Sequence, residues 1–226
     1  GEEAKVITSA SPFYGESGGQ LGDIGNIKWE NGKALVFDTK KFENLIIHFV
    51  KVIEGVLKVD DEVSMEIDLD RRNSLKIHHS ATHLLHESLR RNLGEHISQK
   101  GSLVAPDKLR FDISHNKPIS NKDIETIEKE INNKIRENLE VSTEIMAIDD
   151  AQNIGALALF GEKYGDEVRV VKMQNDDKYS IELCGGTHVS RTGDIGLFKI
   201  ISESALGSGI RRIEAVAGQA AIEVFQ

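Results

Sequence analysis

Two distant segments constrain this chain more than any other part of it: Lys76-Ile77-His78-His79-Ser80-Ala81-Thr82-His83-Leu84-Leu85-His86 and Cys184-Gly185-Gly186-Thr187-His188. Residues four apart in a helix lie one above the other on one face, so His79 and His83 can turn both imidazoles toward a single point. Cys184 and His188 repeat that spacing, and imidazole with thiolate is the donor set that borderline-soft zinc prefers. Together the segments offer His79, His83, Cys184 and His188 as candidate ligands of one tetrahedral ion. A fold that builds this site must bring the two segments together.

Each half also has a plainer reading. The histidines can flank the buried stripe of an amphipathic helix, and a lone cysteine is commonly a small buried hydrophobe. Against this, the only cysteine of the chain stands beside Gly185 and Gly186 and just ahead of a histidine. A Gly-Gly turn lets the backbone fold tightly enough for both side chains to converge. His86 is placed to replace a ligand or to support one, whereas His78 should point elsewhere. In a zinc peptidase helix a glutamate follows the first histidine and activates water; Ser80 stands there instead, which removes the base that such chemistry needs.

The 226 residues suffice for one large domain or two modest ones. No apolar run approaches a membrane span and no amino-terminal stretch reads as a signal peptide, so the expected setting is the cytoplasm, with no membrane partner. A single cysteine forms no internal disulfide, which agrees with a reducing compartment. The start at Gly1 rather than Met suggests an excised fragment. A net charge of −9 argues against a protein that coats nucleic acid through a broad basic surface. Local basic pairs remain, among them Arg71-Arg72, Arg90-Arg91 and Arg211-Arg212, although most such charges are simply solvated.

Short β-like runs fill the chain from Val6 to about Ile67, punctuated by Asn31-Gly32, Glu54-Gly55 and Asp60-Asp61. They predict a small barrel or a strongly bent antiparallel sheet. Within this region Phe13 to Asp23 is too glycine-rich for a strand and lacks the ending of a phosphate-binding loop; its glycines suggest a backbone that closely approaches something. A helix is predicted from Asp70 to Leu93, with Leu75, Ala81 or Thr82, Leu85 and Leu89 on its buried side and Gly94 as its stop. A hairpin follows over Gln99–Val104 and Lys108–Ile113. Ser120 or Asn121 then caps a second helix with Ile124, Ile127, Ile131, Ile135 and Leu139 as its stripe. Strands over Val141–Ile148, Val168–Met173, Tyr179–Leu183, Ile195–Ser202 and Gly209–Ala217, with a short helix over Asp149–Leu157, complete one second sheet. The expected class is α+β: residues 1–68 a β-barrel-like domain with the glycine-rich loop, and residues 69–226 a larger domain whose antiparallel sheet packs against two long helices.

These landmarks, in this order, resemble the editing domain of alanyl-tRNA synthetases and its free-standing relatives, the AlaX trans-editing proteins. The resemblance runs over nearly the whole chain. It is carried by Pro12-Phe13-Tyr14, Gly18-Gly19-Gln20 and Asp23, by the histidine segment, and by Gln99-Lys100-Gly101-Ser102-Leu103-Val104. Leu109-Arg110-Phe111-Asp112, Ala158 to Gly165, the cysteine segment and Arg211-Arg212-Ile213-Glu214-Ala215 extend it. Related threonyl enzymes share the histidine and cysteine pairs but not the Gly-Gly-Gln loop.

The resemblance implies hydrolysis of the ester that joins serine or glycine to the 3′ adenosine of alanine tRNA, with the acceptor end of that tRNA as partner. The remainder of a synthetase chain would then carry the ATP-dependent activation. A pocket shaped for alanine discriminates poorly against one added hydroxyl or one missing methyl, so a second, hydrolytic site must supply the remaining accuracy. By the same resemblance one zinc ion is held by His79, His83, Cys184 and His188. Gln99 lies in the pocket wall and orients substrate or water, while Ser80 and Thr82 offer hydroxyls to serine or bond their own helix carbonyls. Gly185 and Gly186 fall on the substrate side, Arg211 or Arg212 contacts the tRNA terminus, and the Gly18-Gly19-Gln20 loop leans on the second domain. Two other readings stand beside this one: a complete AlaX-type protein, and a zinc-stabilised tRNA-binding module without catalysis, which a closed set of four ligands favours.

Overall fold

The computed structural model describes residues 1–158, 165–175 and 178–224. The chain divides into two compact units, Gly1–Asn73 and Ser74–Gln226. In the first, β1 (Glu3–Val6), β2 (Gly25–Trp29), β3 (Gly32–Phe42), β4 (Leu45–Glu54) and β5 (Ser64–Ile67) form one antiparallel sheet in the order β1-β4-β3-β2-β5. Alternation sorts its side chains: Ala34 and Val36 of β3 join Phe13, Ile27 and Val50 in a core, while Leu35 and Phe37 face outward. The sheet is open. β1 and β5 are edges of only four residues each, and they do not pair with one another. Bulge-like register shifts in β3 strengthen its twist without closing a barrel, so of the two sequence expectations the bent sheet is the one realised.

The glycine-rich loop approaches the chain's own β3. A Cβ on Gly22 would stand 2.0 Å from the carbonyl oxygen of Thr39, and one on Gly15 would meet the Lys41 nitrogen at 2.8 Å. Gly18 and Gly19 supply positive φ at the tip. The loop ends on Asp23, which is almost completely buried. Its carboxylate accepts the Tyr14 N–H at 2.6 Å and the Arg72 Nε–H at 2.9 and 3.0 Å, with Arg72 Nη2 closing the fork.

The second unit continues α1 (Leu69–Leu93) into β6 (Gln99–Val104), β7 (Leu109–Ser114), α2 (Asn121–Arg136), β8 (Glu140–Ala147) and α3 (Ile148–Asn153). It closes with β9 (Glu167–Gln174), β10 (Lys178–Leu183), a 3₁₀ turn over Thr192–Ile195, β11 (Phe198–Gly207), β12 (Ile210–Ala217) and α4 (Gln219–Glu223). The class is α+β, as expected. Its strands make two antiparallel sheets, β11-β12-β7-β6 and β10-β9-β8, where one was predicted. Each hairpin is legible from its own residues, but nothing local says which hairpin joins which sheet.

The helices follow their patterns. The Ser120 hydroxyl caps α2 by accepting the Asp123 N–H, and Ile127, Ile131 and Ile135 are buried. In α1 burial goes beyond the predicted stripe: Leu75 and every residue from His78 to His86 are buried, together with Ser88 and Leu89. A helix covered all round carries its histidines inside the protein. Among the described residues no helix is long and apolar enough to cross a membrane.

The Asp23–Arg72 pair yields a stability prediction. Arg72→Ala strands a buried carboxylate and should cost about 3 to 5 kcal/mol, read as a lower urea midpoint. Arg72→Lys should recover only part of it, because an ammonium lacks the planar fork. An unchanged midpoint in Arg72→Ala would contradict this account.

Candidate metal centre

His79 and His83 sit on successive turns of α1 with their rings stacked, centroids 5.2 Å apart. Cys184 directly follows the last residue of β10, and the chain then turns so that His188 comes back over the same point. The Cys184 Sγ lies 3.4 Å from His79 Nε2 and 3.3 Å from His188 Nε2. One donor atom from each of His79, His83, Cys184 and His188 falls within 4.8 Å of all the others. Zinc–nitrogen bonds of about 2.0 Å and zinc–sulfur bonds of about 2.3 Å give a tetrahedron whose edges are roughly 3.5 Å, so the group already has the size of a coordination shell.

The hydrogen bonds behind the imidazoles say which nitrogens face the centre. His83 Nδ1 donates to Glu182 Oε2 at 2.9 Å, while its buried Nε2 has no hydrogen-bond partner. A buried ring nitrogen without a partner suits a metal ligand once its proton is displaced, and a carboxylate behind the imidazole fixes the tautomer that presents it. His188 is held likewise: its Nδ1 lies 3.2 Å from the Ser80 hydroxyl, which also accepts the Val189 N–H at 3.1 Å. Ser80 therefore positions a candidate ligand. Glu182 further accepts from His86 Nδ1 at 3.2 Å through the same oxygen, and from the Ser180 hydroxyl at 3.1 Å through the other. His86 thus supports the centre through Glu182. His78 points elsewhere, with Nδ1 on the Ser74 carbonyl and Nε2 accepting the Ala217 N–H.

Electrostatics prepare the donors. Burial works against the Cys184 thiolate, but His79, His188 and His83 outweigh it and hold the thiol well below its ordinary range. Burial likewise opposes an ionised Glu182, and His83 with His86 overcomes it, so the carboxylate also lies well below its usual range. For His83 burial opposes the charged ring, yet Glu182 and Cys184 push it up to about 10. His188 moves the other way, to about 3, through burial first and His79 next. One thiolate and one carboxylate bring two negative charges, which a divalent cation balances, so residues and charge both fit such an ion.

The remaining sequence candidates are placed less centrally. The Thr82 hydroxyl donates to the His78 carbonyl of its own helix at 2.8 Å. Gln99 opens β6, half-buried, opposite Ile113 and beside a register shift. Arg211 pairs with Glu203 at 2.6 Å, and Arg212 grips both oxygens of Asp112 at 2.8 and 2.9 Å. Gly185 is exposed, and Gly186 is buried with its N–H 3.4 Å from the Cys184 sulfur. Neither glycine has a positive φ, and a Cβ on Gly185 would meet nothing within 4 Å. Residues 159–164, part of the resemblance above, lie outside the described residues. Glu182 was missed. Its available signal was a carboxylate two residues before the cysteine in a strand whose other residues Tyr179 and Leu183 are core-like, which puts both on one strand face.

Comparison with known proteins adds family context. Residues 168–214 match the model of the threonyl and alanyl tRNA synthetase second additional domain, and residues 1–71 match that of class II (A) tRNA synthetases. The alanine–tRNA ligase of Paracoccus denitrificans is 52% identical over 99% of the chain, and that of Ruegeria sp. 54% over 98%. The Dichelobacter nodosus alanine–tRNA ligase is 55% identical over the full chain. The chain spans 26% of the length of each.

Two outcomes follow for metal binding. Glu182→Gln removes the anion behind His83 and should weaken zinc affinity about 10- to 100-fold in chelator competition; wild-type affinity would contradict the role of Glu182. Because His83 in the metal-free protein titrates near 10, a metal must displace its proton at neutral pH. Acid therefore favours the metal-free form, and affinity should rise with pH by about tenfold per unit for each proton released. A flat profile between neutrality and pH 10 would show that His83 surrenders no proton.

Proposed function

The chain belongs to the family of alanyl-tRNA synthetase editing-region domains, and from that premise we propose that it is an ester hydrolase, freeing serine or glycine wrongly joined to alanine tRNA. The observation that carries this reading is the buried His79-His83-Cys184-His188 group, with its donors already oriented by Glu182 and Ser80. Zinc is the ion these donors suit, and when bound it supplies Lewis acidity, or fixed positive charge, to the pocket beside it. The partners in this reading are the acceptor end of alanine tRNA and the rest of the synthetase, and the setting is the cytoplasm.

The chain's own residues do the remaining work. Gln99 has an amide that both donates and accepts, as orienting an ester or a water requires. Thr82 keeps acceptor capacity after donating to the His78 carbonyl, so its oxygen can still receive the serine hydroxyl. An alanyl ester would leave that contact unmade at a cost of roughly 1 to 3 kcal/mol, which is how serine is told from alanine. Arg212 uses Nε and Nη2 on Asp112; its remaining donors suit a phosphate, as do those of Arg211. Gly185 stands open, without a side chain to obstruct the terminal nucleotide.

One observation favours a second reading. Four protein donors complete a tetrahedron, the arrangement of structural rather than hydrolytic zinc, and a metal-stabilised tRNA-binding module without turnover would have it. The net charge of −9 weighs against that module. Incubation with seryl-, glycyl- and alanyl-tRNA separates the two. The hydrolase should release serine and glycine much faster than alanine, and Gln99→Ala should slow release at least about tenfold with metal content intact. Tight binding without release would favour the module.

A further inference from the structure

We infer that Arg169 is a positioning residue of the metal centre, holding the cysteine's backbone so that its sulfur faces the three imidazoles. Arg169 lies in β9, beside the end of β10. Its carbonyl accepts the Cys184 N–H at 3.0 Å. Its Nη1 donates to the Cys184 carbonyl at 2.9 Å and to the Gly186 carbonyl at 2.7 Å. One guanidinium nitrogen carries two N–H groups, one for each carbonyl. A single residue therefore grips Cys184 at both of its backbone polar groups and fixes the turn two residues further on.

This grip matters because the turn is built on two glycines. Gly185 is exposed, with open space where a side chain would be. Glycine is the residue with the most backbone freedom to lose, so two in succession leave Cys184 at the edge of the most pliable part of the site. The other end of the turn is tied separately, by the Ser80 hydroxyl to Val189 N–H and to His188. With Arg169 at the cysteine end and Ser80 at the histidine end, the turn is tied at both ends, and the Gly186 N–H comes within 3.4 Å of the sulfur. Arg suits this place better than Lys: its planar fork presents two donors in fixed directions, whereas an ammonium is a point charge on a flexible stem.

The role presupposes a metal at the four donors and is independent of deacylation. The test uses cobalt as a spectroscopic substitute for zinc, on the wild type and on Arg169→Ala, Arg169→Lys and Lys172→Ala. Lys172, on the same strand, pairs with Glu144 and serves as control for a general loss of β9 stability. Wild type should bind one cobalt per chain, with a thiolate-to-cobalt charge-transfer band. Arg169→Ala should bind about 10- to 100-fold more weakly with a reduced or shifted band. Lys172→Ala should leave both unchanged, and Arg169→Lys should fall between. If Arg169→Ala does not fold, Arg169→Lys decides by the same two readouts. Wild-type affinity and band in the folded Arg169 variants would overturn the role of Arg169 alone. A wild type that takes up no cobalt would overturn the metal reading and this role with it.

Discussion

Burying a thiolate and a carboxylate beside one imidazole is costly unless something cancels their charge. Cys184 and Glu182 are both almost fully buried, and the imidazole they share is that of His83, with His79 and His188 beside the sulfur and His86 beside the carboxylate. Protons on the imidazoles can balance the two anions, and both anions push His83 up against the effect of burial. A divalent ion balances them with one particle and lets every ring be neutral. The second unit is arranged around this requirement. A helix buried on all sides through its middle turns delivers two rings, β10 delivers the carboxylate, the residue after it delivers the sulfur, and a hydroxyl and a guanidinium hold the last turn.

The features that were legible in the sequence are those with a local cause. The stripe of α2 and its serine cap depend on neighbours three and four residues away, and so does the pairing of His79 with His83. The cysteine pair could be proposed from spacing and from the soft character of its donors. Two things were not legible. The partition of the strands into two sheets is decided by long-range pairing, such as β12 on β7. The contacts behind the ligands, from Glu182, Ser80 and Arg169, become visible only when the long helix and the β9-β10 hairpin are folded around the same point.

Glycines illustrate the limit in both directions. The cluster between Phe13 and Asp23 was correctly read as a close backbone approach, and the structure supplies the object, the Thr39 to Lys41 stretch of β3. Gly185 and Gly186 suggest a tight turn that lets side chains converge, and neither takes a positive φ. There the geometry comes from hydrogen bonds donated by another strand, which no inspection of the turn itself reveals.

The two halves of the centre are separated by roughly a hundred residues of chain, and neither half holds enough donors to retain an ion alone. A metal gripped by both would act as a removable cross-link closing one very long loop, which restricts the disordered chain far more than the ordered one. Such a clasp comes undone with a chelator rather than a reductant, so a chain with a single cysteine can have the entropic benefit of a bridge without an internal disulfide.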